Sequence, residues 1–117
     1  MIQKGDLEFG DVVWTDFDPS AGHEFQDKRP AIVIQSSEQL QKSNLVTVIP
    51  LTSNTQNLTQ DDILISADSE NHLRTDSVAK VYSLESFDYS RFSKKIGKIG
   101  TVEISLIKSY LRKHFDL

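Results

Sequence analysis

The chain has 117 residues, 38% of them hydrophobic and 26% charged, proportions of an ordinary globular protein, and residues 1–117 are read as a single domain. It has no cysteine, which excludes disulfides and thiolate metal sites, and its net charge of −4 lacks the global basic signature of a duplex-DNA binder. No apolar run approaches the roughly 20 residues of a membrane span, and MIQKGDLEFGDVVW has no apolar h-region of a signal peptide, so a cytoplasmic protein with no membrane partner is expected.

DVVWTDF (11–17) is β-branched and aromatic and alternates, with Val13, Thr15 and Phe17 on one face and Val12 and Trp14 on the other. It reads as a strand with Trp14 and Phe17 in the core. DPSAGHEFQDK (18–28) carries Pro19, Gly22 and polar residues and reads as a long loop. PAIVIQS (30–36) is a near-continuous apolar run, a central strand with Pro30 at its first position, where a missing N–H costs least. SEQLQKS (37–43) reads as a surface helical turn and LVTVIPLT (45–52) as a second buried strand, with Pro50 marking a bulge or an edge.

SNTQNLTQDD (53–62) is a second polar loop. ILIS (63–66) and SVAKVYSL (77–84) read as short strands, and SFDYSRFSKKIGKIG as a turn followed by a short strand or helical turn ending at Gly100. TVEISLIKSYLRKHF (101–115) has helical period, with Val102, Leu106, Tyr110 and Leu111 plus Ile107 as its apolar stripe and Thr101 as N-cap. Short strands with one terminal helix and no βαβ alternation predict a mainly β domain, a small closed or half-closed antiparallel barrel.

His23, Glu24, Asp27, Lys28 and Arg29 gather at the mouth of a buried strand, which marks either a solvated loop or a reaction centre. HEFQD (23–27) begins like the zinc motif H-E-x-x-H, but its fifth position is Asp27, and Gly22 and Pro30 disfavour the helix that motif needs, so no metal is expected. Cations cluster at Arg91, Lys94, Lys95 and Lys98, a strip able to attract phosphate or simply to be solvated.

Three stretches, GDVVWTDFDPSAGHEFQDKRPAIVI (10–34), VIPLTS (48–53) and IGKIGTVEISLIKSYL (96–111), resemble the MazF/PemK family of toxin ribonucleases. The resemblance implies an SH3-like antiparallel β-barrel with a C-terminal helix and a homodimer. It implies sequence-selective cleavage of single-stranded RNA without metal or other cofactor, and a cognate MazE/PemI-like antitoxin that covers the groove. Such cleavage uses the substrate's own 2′-hydroxyl as nucleophile and leaves a 2′,3′-cyclic phosphate and a 5′-hydroxyl. It needs a base for the 2′-OH and charge stabilisation at phosphorus.

Arg29, before P-A, stands in the place of the family's catalytic arginine, and guanidinium chemistry suits a phosphorane. Thr52 stands in the place of the catalytic threonine, with Ser53 as a neighbouring phosphate contact and Lys28 as a further RNA contact. The base is open between His23, which matches PemK-type members, and Glu24, which matches MazF-type members. PemK-type relatives place an arginine and an aspartate where this chain has Lys80 and Tyr82. Lysine keeps the charge without the fork, and tyrosine is no carboxylate base, so both are read as RNA contacts, Tyr82 by stacking. The alternative function is a non-catalytic toxin of the same barrel fold that binds a protein target such as gyrase.

Overall fold

Two runs that are apolar on both faces, Ala31–Ile34 and Val46–Leu51, require cover on both sides, and the computed structural model, which describes residues 2–117, provides it. The strands are β1 (Asp11–Asp16), β2 (Lys28–Val33), β3 (Leu45–Thr52), β4 (Ile63–Ile65), β5 (Ser77–Ala79), β6 (Glu85–Asp88) and β7 (Phe92–Lys98). The helices are α1 (Ser37–Lys42) and α2 (Thr101–Phe115). All pairings are antiparallel, in the order β4-β5-β3-β2-β1-β7, with β6 also on β3.

Alternation along β1, β2 and β3 sorts the core into two clusters. Val13, Phe17, Val33, Val46 and Val48 pack on one face with Leu40 of α1. Val12, Ile32, Ile49 and Leu51 pack on the other with Ile107 of α2. Fully burying such a side chain contributes about 1.5–3 kcal/mol, so the centre of the sheet is also its most stable part. Pro50 sits where the outer neighbour of β3 changes from β6, paired through Val48, to β5, paired from Leu51. The ring therefore interrupts neither ladder.

The antiparallel class and the terminal helix are as expected, but strand pairing does not close the barrel, since β4 and β7 at the sheet's two ends do not pair. The β4–β5 connection spans the gap instead. Lys98 N–H donates to the Glu70 carbonyl (3.1 Å), and the His72 ring nitrogen Nδ1 lies 2.8 Å from the Ile96 carbonyl. Buried Asn71 holds this connection in shape. Its Nδ2 donates to the Ser66 carbonyl (2.8 Å), and its Oδ1 accepts from the Asp68 and Leu73 amides. Gly97 of β7 lets the turn approach, because a Cβ there would overlap the Glu70 carbonyl oxygen.

Several local expectations change. Trp14 is only half-buried and leaves the core, whereas Phe17 is buried against Phe87 in an edge-to-face pair. The strand read over 77–84 ends at Ala79 and gives way to a 3-10 turn at Val81–Ser83. The stretch after it holds two strands, β6 and β7, joined by a second 3-10 turn, Tyr89–Arg91. Pro30 is third in β2 rather than first. Gly100, not Thr101, is the N-cap of α2. Val102 and Leu106 face outward, 66% and 50% exposed. The buried stripe runs instead through Ile104, Ile107, Tyr110 and Leu111. The helix is apolar around much of its girth, and Gly10 decides the side: at φ +95° and without a side chain, it leaves room for Ile104, whose Cδ1 would lie 2.9 Å from a Cβ there.

Candidate active site

β2 and β3 bring together two residues that are distant in sequence. Their register runs Val33↔Val48, Ile32↔Ile49 and Ala31↔Pro50. Continued two rungs further, it sets Arg29 opposite Thr52. Both residues line an open cavity of about 960 Å³. Lys28 and Ser53, their chain neighbours, line it as well, and Trp14 and Pro30 form part of its wall. Trp14 pairs with Pro30 across β1 and β2, which explains why it is not core. The β4–β5 connection contributes His72, Leu73, Arg74 and Thr75, and β7 contributes Lys94 and Ile96.

The electrostatics of this cavity are one-sided. Lys28, Arg29, Arg74 and Lys94 line it, and among the described residues no carboxylate does. A chain with net charge −4 therefore concentrates four cations where a ligand would sit. Arg29 makes no ion pair among the described residues. Its Nε donates to the Gln26 carbonyl (3.1 Å), and its guanidinium lies 4.8 Å from the centre of the Phe25 ring. These contacts orient the fork without neutralising it. Thr52 Oγ1 accepts a long bond from the Asn54 amide (3.3 Å), which leaves the hydroxyl free to donate.

The remaining sequence candidates lie elsewhere. His23 and Glu24 line a second, smaller depression with Phe25, Ser83, Leu84 and Glu85. Glu24 Oε1 accepts from the Ala21 amide (2.7 Å), and residues 23–27 form no helix. In this depression burial pushes the Glu85 carboxyl up, and the Glu24 carboxylate adds to the rise. Lys80 and Tyr82 do not line the large cavity. Lys94, one of the cation cluster able to attract phosphate, and Trp14, expected in the core, line the cavity, as do His72 and Arg74, to which the sequence assigned no role; His72 sits in a polar, turn-forming stretch between two short strands, which does not say where the turn lands.

Lys80 is engaged in an ion pair with Asp62 at 2.8 Å, with the carboxylate side chain 1% exposed. Burial pushes the Asp62 carboxyl up, but the Lys80 ammonium and the Thr59 amide and hydroxyl outweigh it and hold the group below its usual range. Burial pushes Lys80 down, but Asp62 and Tyr82 outweigh it and hold the ammonium above its usual range. A depressed carboxyl stabilises the fold above its ordinary pKa and loses that contribution as pH falls through its folded value; a raised ammonium does the reverse on the alkaline side. Lys80→Met should therefore cost about 1–3 kcal/mol near neutral pH, since it leaves a buried carboxylate oxygen without its partner. Denaturant midpoints compared with wild type should converge below about pH 4 and above about pH 10.5. A pH-independent difference would show that packing, not the ion pair, is responsible.

Comparison with known proteins gives the family and the fold. Residues 8–115 match the family described as PemK-like, MazF-like toxin of type II toxin-antitoxin system. An endoribonuclease MazF9 of Mycobacterium tuberculosis is 27% identical over 113 residues, covering 92% of this chain and 95% of its own. Among solved structures, MazF of Deinococcus radiodurans superposes with a TM-score of 0.82 at 23% identity, covering 95% of this chain and 97% of that one. An endoribonuclease from a mycobacterial species, solved in complex with its cognate antitoxin, gives 0.75 at 14% identity and covers 95% of this chain and 96% of that one. At these identities the superpositions speak for the fold.

Proposed function

The chain belongs to the PemK-like, MazF-like family of type II toxins, and from that premise we propose that it is an endoribonuclease toxin that cuts single-stranded RNA, chiefly messenger RNA, by attack of the 2′-hydroxyl. The observation that carries the reading is the cavity with four cations and no carboxylate, into which the β2–β3 register brings Arg29 and Thr52. Arg29 stabilises charge as the phosphorus becomes five-coordinate. Thr52 holds a phosphate oxygen or the 2′-OH. Lys28 and Ser53 hold flanking phosphates. Trp14 offers an aromatic face at the cavity wall, on which an unpaired base can stack.

Residues 1–117 act as one toxin domain on this reading. The partner is an antitoxin of the MazE/PemI kind, whose acidic or extended segment competes with RNA for the same cations. Two copies pair as a homodimer, which would cover apolar side chains now exposed, such as Leu64, Val102 and Leu106. No helix among the described residues is long and apolar enough to cross a membrane; the proposed place of action is the cytoplasm, where the messenger RNA is.

Purified protein incubated with a long single-stranded transcript in EDTA should cut it and leave 2′,3′-cyclic phosphate and 5′-hydroxyl ends. If all four cavity cations hold phosphates, log affinity should fall with log salt at a slope of about −3, close to −0.7 per phosphate for single strands. Sedimentation of the same preparation should give twice the chain mass. A transcript left intact with and without added magnesium would favour the protein-binding alternative. Cutting by a monomer would remove only the dimer from the proposal.

A further inference from the structure

We infer that His72, through its ring nitrogen Nε2, takes the proton from the attacking 2′-hydroxyl, a role that neither His23 nor Glu24 can fill from its depression. The inference rests on the nuclease reading above and adds its missing base.

Three observations meet at this residue. First, the cavity holds acceptor-poor chemistry. Lys28, Arg29, Arg74 and Lys94 are donors only, and no carboxylate lines the wall. Among the described residues, His72 is the one ionisable side chain of the lining with a lone pair to offer, and imidazole chemistry suits the transfer of a proton. Second, its tautomer is set. The Ile96 carbonyl can only accept, so Nδ1 at 2.8 Å carries the hydrogen and donates it. In the neutral ring Nε2 is then the acceptor, and among the described residues it has no partner. A carbonyl that orients one ring nitrogen while the other stays open is the arrangement a working imidazole needs. Third, the residue is held in an unfavourable backbone state. His72 has φ +55°, in the left-handed region where glycine or asparagine is at ease. That backbone state and the tie across to β7 hold the ring in one place at the cavity wall.

The step balances without a further reagent. The 2′-O–P bond forms and the P–O5′ bond breaks. The 2′-OH proton passes to Nε2, the leaving 5′-oxygen takes a proton from water, and the imidazolium returns its proton to solvent. The charged groups that share the cavity with the ring are Lys28 and Arg29 from β2, Lys94 from β7 and Arg74 on its own turn, and Glu70 lies two residues before it in that turn.

The test uses the full chain and an oligonucleotide spanning a cut site that the wild-type protein makes in a long transcript, in EDTA. His72→Asn keeps a side chain suited to positive φ but cannot titrate, and His72→Gly relieves the backbone outright, so at least one folded variant is assured. Single-turnover cleavage by either should fall by about 100- to 10,000-fold, the usual worth of a positioned base. Wild-type cleavage should decline on the acid side as the ring protonates, and that limb should vanish in His72→Asn. Binding of the same oligonucleotide with 2′-deoxyribose at the cut site should change by less than about threefold, and added imidazole should restore part of the rate of His72→Gly. Variants that cut within about threefold of wild type, or that keep the acid limb, overturn the inference and leave the nuclease reading intact. A wild-type protein that cuts no RNA overturns both.

Discussion

Arg29→Ala is expected to lower the cleavage rate by about 100- to 1,000-fold, the cost of one charge-stabilising donor in a preorganised site. Three features set that size. The guanidinium is permanently charged and forked, so it can hold two phosphate oxygens as the phosphorus gains negative charge. It makes no ion pair among the described residues, so no resident carboxylate competes with substrate. It is already oriented by the Gln26 carbonyl and the Phe25 ring, so little is spent in ordering it at the moment of reaction.

The loss should appear in the chemical step more than in binding, because Lys28, Arg74 and Lys94 still line the cavity. Stability should hardly move, since among the described residues the side chain's partners lie on the adjoining loop. Arg29→Lys should recover part of the binding and little of the rate, because an ammonium lacks the fork. The checks are single-turnover cleavage, affinity for an uncleavable oligonucleotide, and a denaturation midpoint. A folded Arg29→Ala protein that cuts at the wild-type rate would remove Arg29 from the chemistry.

Gly97→Ala should damage both fold and activity, although Gly97 is not among the cavity residues. A Cβ there would overlap the Glu70 carbonyl oxygen and lie 2.7 Å from the carbonyl carbon and oxygen of Asn71. These are backbone atoms, so no flexible side chain can move aside. Either β7 or the turn must shift. The turn is braced by Asn71, whose side chain makes three hydrogen bonds to the surrounding backbone. Overpacking at such a point typically costs about 1–3 kcal/mol.

The same displacement weakens the bonds from Lys98 N–H to Glu70 and from His72 to Ile96 that bridge the open ends of the sheet. His72, Leu73, Arg74 and Thr75 would all move relative to Arg29 and Thr52. A shift of about 1 Å can cost about 100-fold in rate. The denaturation midpoint and the cleavage rate should therefore fall together. A normal rate at a lowered midpoint would separate the turn from the chemistry, and no change in either would show that the turn yields easily.

Much of this protein is written locally. The apolar runs over 30–36 and 45–52 demand buried strands whatever surrounds them; β2, Lys28–Val33, overlaps the first and β3, Leu45–Thr52, coincides with the second. The 3.6-residue period after Gly100 specifies α2 to its last turn. The R-P-A and P-L-T stretches carry the resemblance that singles out Arg29 and Thr52.

What the sequence left open depends on contacts between distant segments. Which side of α2 is buried was decided by Gly10, more than ninety residues away, because the helix has apolar residues on more than one side. The position of Trp14 was decided by its pairing with Pro30 at the edge of a cavity. His23 looked adjacent to Arg29 because a chain is read in one dimension, but the loop carries it to another depression. His72 looked remote, yet the β4–β5 turn crosses to β7 and delivers it to the cavity. Strand patterns report burial, which each residue senses for itself. Where a polar turn lands is set by the backbone atoms it meets there, and nothing in the turn's own composition records them.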